Sequence, residues 1–350
     1  MAFLRNTWYV GAWGREINRE LTPRMLLGEP VLFYRKENGQ ATAIGNRCPH
    51  RFAPLHLGKL VGDVVECGYH GLKFDCAGIC VDNPHGDHKI PSAARVKAYP
   101  LVEQHGLIWI WMGQPELADP AAIPDYSHLV DPKLRTIGDV MLQKSNYELV
   151  VDNLMDLTHV NYLHSPYQKN DDFLAAKHDV VQKGRTLDSL RSIPSTLAPQ
   201  SFTPFLDDPS APVDYWLNIR WYAPGACHLE VGVVPVGRSR SEGIRRQGTH
   251  IVTPETDTTT HYFYASSRNY LIDDPKADLE TRNWQQLGFH EQDKPMLEAV
   301  QQMMGTTDLD SLKPVLLSSD AAAVRVRRMM KELIQAETQT QVKPIFVLNQ

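Results

Sequence analysis

Cysteine is scarce in this chain, five among 350 residues. An odd and low count argues against a disulfide framework and turns attention to metal or redox use of some thiols. Long apolar runs are missing as well. None reaches the roughly 18 residues that mark a membrane span, so no membrane association is expected. Positive charge is not in excess either: 36 Lys and Arg face 41 Asp and Glu, a net charge of -5, which gives no electrostatic footing for nucleic acid. The start, MAFLRNTWYVGAW, has neither an extended apolar core nor a small-residue cleavage site, so it reads as mature protein and a cytoplasmic location is the expectation. Internal repeats and low-complexity tracts are absent. What remains, 42% hydrophobic and 22% charged residues, describes a soluble globular protein. Its length leaves room for about two domains at roughly 150 residues each.

The texture changes once along the chain. From Arg24 to about Gly113 there are short runs of β type: PVLFYR and ATAIGN around the turn KENGQ, then LVEQHGLIWIWMG. Each is bounded by Gly, Pro or Asn, which predicts a small antiparallel domain. The proline-rich stretch GQPELADPAAIPDY lacks either period and reads as a linker. Beyond it, residues 147–164 carry apolar positions at helical spacing. DYWLNIRWYAPGACHLEVGVVPVG and THIVTPETDTTTHYFYASSRNY read as long antiparallel strands. Two closing helices are expected, roughly Lys276 to Met304 and Ser319 to Glu337.

Two of the cysteines stand beside histidines. Cys48 and His50 form one loop, CPH, and Cys67 and His70 another, CGYH. Two thiolates and two imidazoles are an ordinary tetrahedral zinc set. Zinc fingers, however, usually take both cysteines from one knuckle and both histidines from the other, whereas here each loop is mixed. Mixed loops suit a Rieske [2Fe–2S] centre, in which cysteines hold one iron and histidines the other, so each loop must reach across the cluster. Pro49, Gly68 and Gly71 fit tight turns that bring backbone amides near the sulfurs. Cys76, Cys80 and Cys227 are expected to be small buried cysteines, and His85 and His88 to sit in a surface loop.

The second constellation lies in NYELVVDNLMDLTHVNYLH. On a continuous helix Asp152, Asp156 and His159, at i, i+4 and i+7, share one face, and His164 follows at the helix end. Two histidines and one carboxylate with open coordination positions are what ferrous iron needs to bind oxygen beside a substrate. Read alone, the same residues are equally satisfied core histidines beside capping acids. A one-electron carrier upstream makes the iron reading the better one. Spacing does not choose the carboxylate, since Glu280, Glu291, Asp293 and Glu298 of the penultimate helix all qualify.

The motifs CPHR, CGYHGLKF and DNLMDLTHVNYLH resemble those of the oxygenase component of Rieske non-haem iron oxygenases, in the branch of vanillate and dicamba O-demethylases and toluenesulfonate methyl-monooxygenase. The likeness runs from RNTWYV through NPHG, ELADPAAIPD, THIVTPET and SSRNY to the last helices. It implies an α+β architecture: an all-β Rieske domain over residues 1–118 and, over 119–350, a helix-grip (START-like) catalytic domain with an antiparallel sheet. It also implies a homotrimer without a second type of subunit, fed with NAD(P)H electrons by a ferredoxin or flavin reductase. By the same resemblance Cys48, His50, Cys67 and His70 hold the cluster, and His159, His164 and Asp293 the mononuclear iron. Asp156 links a cluster histidine to an iron histidine, with its carboxylate accepting from the His159 imidazole. Asn153 is a polar neighbour of the iron, and Asp152 either supports the ligands from behind or is a packing residue. His250 and Trp284 match positions that line the pocket against an aromatic acid, although a strand histidine and a helix tryptophan are also ordinary core residues.

The activity implied is O2-dependent oxidation of a small aromatic acid at a methoxy or methyl group. A hydroxylated O-methyl group is a hemiacetal that falls apart to the phenol and formaldehyde. Ring hydroxylation or dioxygenation, including diaryl ether cleavage, is the alternative within the class, and a Rieske electron-transfer protein the alternative outside it.

Overall fold

The β-rich first third pairs locally, as its short runs and turn residues require. The computed structural model describes residues 2–341. It divides into two compact units, the first comprising Arg5–Ile123 together with Thr253–Thr256. This unit holds three antiparallel sheets. Trp8–Trp13 pairs with Leu107–Trp111, which pairs with Leu101–Gln104. Both of the first two strands are buried along their whole length, so they carry apolar residues without alternation. Trp8 meets Trp111 edge to face at 5.3 Å. The second sheet is Thr22–Leu26, Glu29–Arg35 and Ala41–Gly45, and the third is built from Lys59–Val61, Val64–Glu66, Lys73–Phe74 and Cys80–Asp82. A core of Leu32, Tyr34, Ile44, Leu55, Val65 and Phe74 takes in Cys48, Cys67 and Cys80.

The stretch read as a linker is short 3-10 turns, Pro115–Leu117 and Pro120–Ala122, rather than extended chain. Trp8 Nε1 donates to the Asp119 carbonyl at 2.8 Å. Thr253–Thr256 belongs to the first unit through comparable bonds. Leu27 and Gly28 N–H groups donate to the carbonyls of Pro254 and Glu255, each at 2.8 Å, and Thr253 Oγ1 donates to the Val10 carbonyl at 2.8 Å.

The second unit is a seven-stranded antiparallel sheet packed with helices. Its strand order is Arg135–Gln143, Thr260–Arg268, Ile244–Pro254, Ala226–Pro235, Val213–Tyr222, Thr186–Thr196, His178–Lys183. Four of these strands match the sequence expectation. Arg135–Gln143, His178–Lys183 and Thr186–Thr196 were not anticipated, because they are rich in polar residues and two of them form the sheet edges. Helix α1 (Tyr147–Met155) starts at an Asn146 cap, whose side chain accepts from the Glu148 N–H at 2.8 Å. It does not run on to His159, as helical spacing predicted. Asp156 leaves the helical region at φ -115, ψ 92, and its carboxylate takes the Thr158 N–H at 3.0 Å and hydroxyl at 2.7 Å, starting the 3-10 turn Leu157–Asn161. Asp152 therefore does not share a face with His159. It pairs with Arg327 of α4 (Ala321–Gln341) at 2.5 Å, and Glu148 joins the same guanidinium at 2.9 Å.

The expected helix over 276–304 is present but not uniform. It comprises α2 (Pro275–Gln285), a π turn over Gln286–Asp293 and α3 (Lys294–Met304). At about 100° per residue, an α-helix would set Trp284 and Asp293 on opposite sides. The wider i→i+5 turn takes up more residues per revolution and lets both face one cavity. No helix among the described residues is long and apolar enough to cross a membrane.

Candidate metal centres and catalytic cavity

The two cysteine-histidine loops are built alike. Cys48 N–H donates to the Ala53 carbonyl at 2.9 Å and Phe52 N–H to the Cys48 carbonyl at 2.9 Å; Cys67 N–H donates to the Leu72 carbonyl at 2.8 Å and Gly71 N–H to the Cys67 carbonyl at 2.9 Å. The residue four after each cysteine is left-handed, Gly71 at φ +74 and, against the preference for glycine, Phe52 at φ +60. Both thiols lie at the core end of their loops, each 2% exposed. The His50 and His70 rings lie toward solvent, with centroids 4.5 Å apart. Burial, with the Cys67 thiol alongside, pushes Cys48 up to about 11. Two adjoining thiols inside and two adjoining imidazoles outside fit a cluster whose irons differ in ligand type. Of the remaining cysteines, Cys80 and Cys227 are buried as expected, but Cys76 is only half-buried. His85 lies on the surface, where its Nε2 is 2.7 Å from the His70 carbonyl oxygen.

In the second unit, ligand atoms of His159, His164 and Asp293 all lie within 4.8 Å of one another. Asp293 Oδ1 is 3.4 Å from His164 Nε2 and 3.7 Å from His159 Nε2. The other helix acids go elsewhere. Glu298 accepts the Lys144 N–H at 3.1 Å, Glu291 the Gln286 amide at 3.2 Å, and Glu280 lines a different cavity. Both histidines have Nδ1 engaged: His159 donates to the Asp156 backbone carbonyl and His164 to Gln292 Oε1, each at 2.8 Å. That leaves both Nε2 atoms as acceptors aimed at one point, the tautomer a metal requires. The bond expected from His159 to the Asp156 carboxylate is thus made to the backbone instead, because the carboxylate is turned to Thr158. Burial keeps the His159 pKa below its usual value. For His164 burial pulls the same way, but the Asp293 carboxylate outweighs it and the direction is upward. Asn153 Nδ2 approaches Asp293 Oδ1 at 3.4 Å. Gln292 was not singled out in the sequence, where it is one polar helix residue among many.

These groups open on a cavity with about 850 Å³ of empty space, counting the part open to solvent. His250 and Trp284 both line it. His250 Nδ1 lies 2.6 Å from the Tyr262 hydroxyl, and burial pulls its pKa down to about 4, so the ring is neutral. Trp284 stacks on Tyr167 at 5.7 Å and receives His164 edge-on at 5.2 Å. Leu217, Leu229, Val231 and Phe289 make up an apolar wall.

Comparison with known proteins agrees with this division of labour. Residues 7–100 match the Rieske [2Fe-2S] domain family, and residues 143–336 match the vanillate O-demethylase oxygenase C-terminal domain family. The chain is 42% identical, over 96% of its length and 99% of the relative's, to the oxygenase component of dicamba O-demethylase from Stenotrophomonas maltophilia. It is 41% identical, over 97% and 98%, to the oxygenase component of chloroacetanilide N-alkylformylase from Rhizorhabdus wittichii. The crystal structure of dicamba monooxygenase bound to dicamba superposes with a TM-score of 0.91 at 41% identity, covering 97% of this chain and 100% of that chain. A Rieske electron-transfer protein would have no counterpart of the second family, so that reading falls.

Proposed function

This chain belongs to the Rieske non-haem iron oxygenases, in the vanillate O-demethylase branch, and on that footing we propose which residues serve the reaction and what it acts on. It is the oxygenase component of a monooxygenase that carries a Rieske [2Fe–2S] cluster and a mononuclear iron, with electrons supplied by a separate protein. Cys48, His50, Cys67 and His70 hold the cluster; His159, His164 and Asp293 hold the iron. When bound, the cluster passes electrons singly and the iron activates dioxygen beside the substrate. The chain's own residues orient and exclude. Asp156 and Gln292 fix the two imidazoles, Asn153 steadies the Asp293 carboxylate, and the apolar wall keeps water from the reacting carbon. His250 offers Nε2 as a neutral hydrogen-bonding atom, and Trp284 packs against a ring.

The substrate is a small aromatic acid oxidised at a methoxy or methyl group, as the names of relatives acting on toluene-4-sulfonate and vanillate indicate for those proteins. The observation that carries this reading is the His159–His164–Asp293 group opening on an apolar, aromatic-lined cavity. Electrons come from NAD(P)H through a ferredoxin or flavin reductase, in the cytoplasm, and the working form is a homotrimer. The division between a Rieske and a catalytic domain falls near residue 118. The test is iron analysis and product analysis together: about three irons per chain, and formaldehyde or a benzylic alcohol from a panel of methoxylated and methylated benzoates. Two irons and no mononuclear iron, or ring diols as the products, would overturn it.

A further inference from the structure

One cavity side chain takes no part in the assignments above. Arg246 lines the cavity of the His159–His164–Asp293 group and is the lone Arg or Lys among its described lining residues. Two largely buried arginines of this unit meet carboxylates, Arg268 with Asp278 and Arg327 with Asp152 and Glu148, while a third, Arg191, lies over the Phe173 ring instead. Arg246 meets no carboxylate among the described residues. Its one side-chain hydrogen bond there runs from Nη2 to Ser201 Oγ at 2.8 Å, and Ser201 in turn donates to Gln168 Oε1 at 3.0 Å. The guanidinium lies over the Phe202 ring at 4.1 Å, and its buried Nε has no partner. The head is therefore held in place on one side and left with donors unspent. A cation so placed is costly unless an anion completes it.

The strand fixes where that anion would sit. Arg246, Gly248 and His250 alternate onto one face of Ile244–Pro254. At Gly248 an added Cβ would lie 2.8 Å from His250 Nε2 and 3.1 Å from Leu229 Cβ, so glycine keeps the face bare between the cation and the imidazole. His250 is neutral and supplies no charge.

We propose that Arg246 is the specificity-determining residue that receives the acid group of the substrate, pairing with the carboxylate or sulfonate of a monocyclic aromatic acid while the ring lies over Gly248 toward the metal group. This rests on the aromatic-acid reading above and gives it a residue. The planar guanidinium suits either oxyanion through paired N–H donors.

The test uses the holoprotein and equilibrium dialysis with the three methoxybenzoates, the matching methoxybenzamides and 4-toluenesulfonate. The parent binds its best acid at least tenfold more tightly than the corresponding amide. Arg246→Met weakens that acid by ten- to a hundredfold, leaves the amide within threefold and raises KM with little change in kcat, while Arg246→Lys recovers part of the loss. Whether the benzoate or the sulfonate is the better ligand identifies which oxyanion the site takes. A parent that holds amides as tightly as acids overturns the proposal without any variant, and so does an Arg246→Met protein that keeps the preference. Charge discrimination at Arg246 without O2-dependent product would instead sink the oxidation reading and leave the anchor standing.

Discussion

At the scale of single residues, the metal-facing imidazoles depend on atoms that are not themselves ligands. His164 is held by Gln292 Oε1 at 2.8 Å, and without that acceptor the ring is free to turn its Nε2 away. Gln292→Leu keeps the volume and removes the acceptor. Iron affinity at the mononuclear site should fall by about 10- to 100-fold, with the cluster spectrum intact; iron retained against a chelator measures it. Asp156 presents a different case. Its backbone holds His159 and its Oδ1 holds Thr158, while Oδ2 makes no hydrogen bond among the described residues. In the homotrimer proposed above, that oxygen would be the one to accept from a cluster histidine of a neighbouring subunit. Asp156→Asn leaves the His159 bond in place and alters only that oxygen. We expect both metals retained and reoxidation of the prereduced cluster, with substrate and O2, slowed by roughly a hundredfold. An unchanged single-turnover rate would remove Asp156 from the path.

At the scale of elements, helices are tied to the second unit by buried ion pairs. Arg327 joins α4 to α1 through Asp152 and Glu148, and burial already raises the pKa of both acids. Arg327→Met strands two carboxylates in the interior and should cost about 3 to 5 kcal/mol. Acids whose folded pKa is raised favour the protonated form, so the loss, read from urea melts, should be greater at pH 8 than at pH 5. Asp278 behaves oppositely. Hydrogen bonds from Arg135, then from Arg268, hold it down to about 2. Its contribution is full above an unfolded pKa of about 3.9 and fades as pH falls toward 2. Asp278→Asn should therefore destabilise at pH 7 yet flatten the melting curve's dependence on pH below 4.

The same elements show what was legible beforehand. That Cys48 and His50 would share one loop and Cys67 and His70 another like it could be read, because within a loop spacing fixes geometry. The long hairpin strands could be read from their apolar runs. The end of α1 could not, since apolar spacing continues past Asp156 and the stop comes from a side chain bonding its own neighbours. Spacing could not separate Asp293 from three other acids either, because a π turn decides which of them faces the histidines.

At the scale of the whole molecule, the first unit is not written in one stretch. Its sheets lie within Arg5–Ile123, yet Thr253–Thr256 completes it by bonding Val10, Leu27 and Gly28. This has a consequence in time. Chains emerge from the ribosome in order and domains usually fold as they appear, but this unit waits for a segment made about 130 residues later, from Ile123 to Thr253. Until then its cysteine loops are already synthesised and only partly secured. A chain stopped after Ile123 should take up iron and sulfide but bleach several-fold faster in air than the full-length protein, and equal lifetimes would show that the late segment adds nothing. If it does add, the cluster is secured only after more than half of the second unit is made, and chains that stop earlier discard their iron instead of carrying a redox centre with no substrate to serve.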